Sequence, residues 1–127
     1  MSNLDLLPQL SASFTIAANA DFRRVIEFLQ SDGSSPLDIS GITFRMMVRV
    51  SADNAIALLD LSTDNGLLVN GGAAGTLKWA VPRALTSMVP PGPYIADILA
   101  SDETGVVNLF QDNGPAQVTV NRGITRQ

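Results

Sequence analysis

The chain has 127 residues, a formal net charge of −4, no Cys and no His, with a single Lys, Trp and Tyr. That length suits one domain with a core large enough to hold without staples. The missing residue types exclude disulfides, thiolate or imidazole metal sites and His-activated nucleophiles, and the acidic balance gives no footprint for nucleic acid.

Charged residues make up 16% of the chain, against the roughly one quarter usual for a soluble domain. A chain this apolar needs either an efficient core or partners that cover its outer surface, and partner burial is the favoured reading. The first eight residues carry an acid and no basic segment, so they do not read as a secretion signal. No run approaches the ~18 apolar residues of a membrane-spanning helix. Synthesis in a cytoplasm, with no membrane partner, is expected.

Residues 1–12 carry Leu4, Leu6, Leu7 and Leu10 around Pro8. Pro8 biases Leu7 toward extended geometry, so the segment reads as an extended arm. Its leucines dock either on their own domain or on a neighbouring protein. Residues 13–17 alternate with period two and predict a strand, and Asn19 to Asp21 a turn. Residues 22–30 fit a helix through Phe22, Val25, Ile26 and Leu29, or a strand through Phe22, Ile26 and Phe28. The Ser31-Asp32-Gly33 turn and the strand-like neighbours favour the strand.

Residues 42–50 give the clearest strand. Ile42, Phe44, Met46, Val48 and Val50 share one face, and Thr43, Arg45, Met47 and Arg49 the other. Residues 55–61 and 67–69 flank hairpin turn chemistry at Asp64-Asn65-Gly66. After the glycine-rich 71–75 loop, residues 76–81 place Leu77, Trp79 and Val81 together. Pro82 ends that strand, and residues 83–88 suit a helical turn. Pro90-Pro-Gly-Pro93 predicts a stop before a strand over 94–100. Further strands are expected over 106–111 and 116–120, with a tail from Gly123. Eight or nine short strands with turns at regular spacing predict an all-β antiparallel sandwich, Ig-like or jelly-roll-like, over 13–127, with 1–12 as its arm.

Candidate sites are few. The 71–75 glycines lack the Gly-Lys-Ser/Thr ending of a phosphate loop and feed a strand. Asp32, Asp53, Asp64, Asp102, Glu103 and Asp112 sit in turns without calcium-loop spacing, and turn chemistry accounts for them. Asp97, between Ile95 and Leu99, is the best-placed carboxylate for hydrolysis, although pairing with an Arg or with backbone groups is the plainer expectation. Trp79 and Tyr94 offer a sugar-stacking platform only if exposed, and the shared face with Leu77 and Val81 favours core packing for Trp79. Arg45 and Arg49 mark either a solvated face or an interface, where Arg is enriched.

The order of segments resembles a known group. Residues 41–49 (GITFRMMVR) lead into 58–66 (LLDLSTDNG), then 75–82 (GTLKWAVP), 91–99 (PGPYIADIL), 105–110 (GVVNLF), Val118-Thr-Val and Ile124-Thr-Arg. This pattern is similar to small tailed-bacteriophage virion proteins, including the N-terminal β-sandwich of baseplate upper proteins. The resemblance implies a non-catalytic structural component without cofactors. It would sit in the tail, baseplate, neck or fibre-attachment region and dock other virion proteins and copies of itself. A fibre-trimerising extension is not seen, which points to an adaptor. Leu4, Leu6, Leu7 and Leu10 are the expected partner contacts, with Arg45 and Arg49 secondary. A capsid-decorating protein and a carbohydrate-binding module are the alternatives.

Overall fold

The alternation along the chain is satisfied by two sheets laid face to face. The structure, a computed structural model, describes residues 3–51, 53, 54 and 56–123. Its strands are β1 (Ser13–Ala17), β2 (Phe22–Glu27), β3 (Thr43–Arg49), β4 (Leu59–Ser62), β5 (Leu68–Asn70), β6 (Thr76–Val81), β7 (Gly92–Asp102), β8 (Gly105–Asn108) and β9 (Ala116–Asn121). Two 3-10 turns, at Leu4–Leu6 and Gly72–Ala74, and one helical turn, α1 (Arg83–Thr86), join them. The expected tail at 124–127 and Ala55, at the start of an expected strand, lie outside the described residues.

The larger sheet runs β1-β9-β7-β3-β4, and the smaller runs β2-β6-β5. Strand β7 is the spine of the larger sheet. It pairs with β3 along one side and shares its other side between β9 and β8. The sandwich is all-β as expected, but the larger sheet is mixed rather than antiparallel throughout. Strand β1 does not pair with β2. It hands the chain across to the smaller sheet and lies parallel to β9, with Ser13 opposite Gln117.

Local differences have local causes. The ambiguous 22–30 segment is strand over Phe22–Glu27. Phe28 then donates its N–H to the Gly75 carbonyl at 2.7 Å, and its own carbonyl accepts from the Leu37 N–H at 2.9 Å. Strand β7 begins at Gly92 rather than after the prolines. Its pairing with β3 starts only at Ile95, so Pro93, which has no N–H, lies beside β9 alone. Strand β8 stops at Asn108 because Leu109 and Phe110 turn into the core.

Inward rows from both sheets meet at Trp79. Its Nε1 donates to Met46 Sδ at 3.3 Å across the sandwich, and its ring lies 5.4 Å from that of Phe14. Phe28 and Phe44 stack at 5.9 Å. Burying each such ring contributes about 1.5–3 kcal/mol. Polar side chains close both open flanks. Arg24 of β2 lies 4.5 Å over the Phe14 ring and donates Nη1 to the Ser13 carbonyl at 2.6 Å. On the other flank, Asn70 Nδ2 donates to the carbonyls of Ile39 and Ile42, each at 2.8 Å.

Candidate functional site

The Leu-rich segment lies on its own sandwich. Gln9 Nε2 donates to the Asn108 carbonyl at 2.9 Å, and Gln9 Oε1 accepts from the Asp112 N–H at 2.8 Å. The Leu10 N–H donates to the Leu109 carbonyl at 2.6 Å, and Asn113 Nδ2 to the Leu10 carbonyl at 3.1 Å. Leu4 is 3% exposed within the core, so it is not a contact open to a partner. Leu7 and Leu10 are half-buried against the same core. Leu6 alone of the four projects, at 63% exposure. The segment is also not extended throughout, because Leu4–Leu6 form the 3-10 turn that turns Leu4 inward.

Arg45 and Arg49 stand together on the outer face of the larger sheet, as the alternation of β3 requires. Arg45 is held by a bidentate pair, Nε to Asp60 Oδ1 at 2.9 Å and Nη2 to Oδ2 at 2.6 Å. Hydrogen bonding to Asp60 raises the Arg45 pKa above its ordinary value. The Arg45 hydrogen bond lowers that of Asp60, opposed by partial burial and aided by the charges of Arg45 and Arg49. Both partners are open to solvent, so screening keeps the pair's contribution to stability small. Arg49 is half-buried, with Nη2 3.5 Å from Met47 Sδ.

Beside Arg49 a cleft of about 460 Å³ opens, lined by Met47, Ile95, Leu99, Asp97, Asn108 and Phe110 among others. Asp97 Oδ2 accepts from Asn108 Nδ2 at 2.9 Å, so the carboxylate is engaged by an amide rather than an arginine. Asp97 is the one carboxylate among the described residues lining the cleft, which leaves no acid–base pair there. Among the described residues, no three His, Cys, Asp or Glu side chains gather to hold a metal ion.

Two of the turn acids, Asp32 and Asp102, accept hydrogen bonds within their own turns. Asp32 accepts from the Ser34 and Ser35 N–H groups, each at 2.9 Å, and from Ser35 Oγ at 2.6 Å. The Ser35 hydroxyl, then the two N–H groups, lower its pKa to about 2. Asp102 likewise accepts from the Thr104 N–H at 2.7 Å. Both candidate stacking rings are interior. Trp79 is 2% exposed, and Tyr94 is 8% exposed with its hydroxyl donating to the Pro90 carbonyl. Neither offers a flat face to a sugar.

Sequence reasoning did not single out the outer face of the smaller sheet. There Val25, Lys78 and Val69 form one row across β2, β6 and β5. Val25 is 54% exposed and Val69 is also exposed. The alternation of 22–30 holds the signal, but which strands border which sheet was needed to read it.

The fold and these surfaces define an all-β sandwich of two facing sheets. No family model and no curated protein matches the chain. Among solved structures the chain is similar to CopC from Methylosinus trichosporium OB3b, at 13% identity over 92% of this chain and 91% of that chain, with a TM-score of 0.41.

Proposed function

We propose that the chain is a non-catalytic structural component of a tailed-phage virion. It would act in the tail, baseplate, neck or fibre-attachment region by docking protein to protein. The virion placement rests on the order of sequence segments. The docking mode rests on one observation: large apolar side chains stand exposed on strands and loops. Val25 and Val69 do so on the smaller sheet, Val50 and Ile56 beyond β3, Met88 after α1 and Val106 on β8. Single exposed apolar residues are ordinary, but a row such as Val25 and Val69 with the Lys78 stem between them suits burial against another protein.

A capsid-decorating role uses the same surfaces and differs only in where the subunit sits. The sugar-binding alternative has lost its platform with Trp79 and Tyr94 buried. Quantitative mass spectrometry of gradient-purified particles tests the proposal. Peptides of this chain at a fixed ratio to the major tail proteins are expected. Their absence from particles that contain all other tail proteins overturns it.

A further inference from the structure

We propose that the free edge of β2 pairs with the same edge of a second copy of this chain, about a two-fold axis through Val25. This goes beyond the virion reading and does not rest on it, since the edge is a property of the sandwich alone.

Strand β2 borders the smaller sheet, with β6 on one side only. Past Glu27 the chain keeps its partners on that same side, since Phe28 bonds both to Gly75 and to Leu37. The parity of the ladder follows. Phe22, Arg24 and Ile26 share Phe28's orientation and turn their backbone groups to β6. Arg23, Val25 and Glu27 turn theirs to the open edge. A row of unpaired backbone groups is a template for another strand. At six residues β2 is longer than the other border strands, β1 with five, β4 and β8 with four each and β5 with three. An inward-pointing charge often blunts such an edge. Here Arg24 is folded back onto Phe14 and the Ser13 carbonyl of β1.

The charge order selects the occupant. Antiparallel pairing centred on Val25 sets Val25 against its copy and Arg23 against Glu27 of the second copy, twice by symmetry. All three residues are exposed on the outer face. Among the described residues Arg23 has one ion-pair contact to give up, at 3.4 Å to Asp21, and its side chain is 81% exposed. A two-residue slip sets Val25 against Arg23 or Glu27 of the second copy and forfeits both charge pairs, and a four-residue slip centres the axis on Arg23 or on Glu27 and brings like charges together, which is unfavourable for directly opposed pairs. One register is therefore favoured and its neighbours are disfavoured. The product is a continuous sheet, β5-β6-β2 joined to β2-β6-β5. It covers Val25 and consumes the β2 edge of both copies, so assembly through this contact stops at two.

Sedimentation equilibrium on the full-length chain tests this, with Arg23→Glu, Glu27→Arg, the double reversal, and Val25→Pro. The expected mass is twice the 13.4 kDa of one chain. Each single reversal replaces two attractive pairs by two repulsive ones and weakens the dimer about tenfold or more. The double reversal restores the pairs and recovers the wild-type constant to within about threefold. Val25→Pro removes an N–H directed to the open edge and abolishes pairing, while circular dichroism retains its β signature. If that variant unfolds, the charge cycle alone decides. A monomer at every concentration, a dimer indifferent to the single reversals, or a double reversal no better than the singles overturns the proposal.

Discussion

Asp32 closes the turn after β2 by accepting three hydrogen bonds from Ser34 and Ser35, and these hold its pKa at about 2 against an ordinary 3.8. A carboxyl lowered on folding stabilises the native state above its unfolded pKa and loses that effect as pH falls through the folded value. Asp32→Ala is therefore expected to lower Tm at neutral pH. The gap to wild type should close between about pH 4 and pH 2, as thermal melts across that range would record. A gap that stays constant would show that the turn is held by other contacts. The Leu residues divide at the same scale. Leu4→Ala empties a buried site and should cost about 2–5 kcal/mol in chemical denaturation. Leu6→Ala, at an exposed position, should stay within ~0.5 kcal/mol of wild type. The sequence shows four leucines around a proline. It does not show which one turns inward, because that depends on a 3-10 turn and on a surface built by residues a hundred positions away, Asn108 to Asn113.

Strand β3 shows how far alternation carries at the scale of an element. Its inner row, Phe44, Met46 and Val48, and its outer row, Arg45, Met47 and Arg49, are as the period of two requires. Pairing partners are less legible, because register is a property of two segments. Nothing local to 13–17 announces a parallel partner at 116–121, and Pro93 reads as a stop until β3 is known to begin pairing beyond it. Gly75 is a similar case. In sequence it is one of several loop glycines. In the fold it has φ +70°, and a Cβ there would lie 2.7 Å from the Phe28 carbonyl oxygen and 2.8 Å from that of Leu37. Both are backbone atoms in the contact that bends the chain after β2, so they cannot swing aside. Gly75→Ala should destabilise by at least ~1–3 kcal/mol, from strain and displaced backbone together, read as a lower urea midpoint. Gly33→Ala has the same sign of φ and open space around it, so it should cost less.

For the molecule as a whole, sandwich architecture was readable from strand spacing and turn chemistry, and the interior Trp79 from its apolar neighbours. The surfaces were not readable in that way. Arg45 and Arg49 were placed on an outer face, yet Arg45 is occupied by Asp60, and exposure rather than residue type marks the rows at Val25 and Val69. The single Lys78 stands between those valines in the register of the smaller sheet. It makes that face addressable, because amine-to-carboxylate coupling from this chain's lysine can begin only there. The most direct test of a docking role in the virion is therefore zero-length amine-to-carboxylate cross-linking of purified particles, followed by mass spectrometry. Cross-links joining this chain to other virion proteins are expected. Particles that contain the chain but yield only links within it or to its own copies, or particles that lack it, would rule out a docking role in the virion.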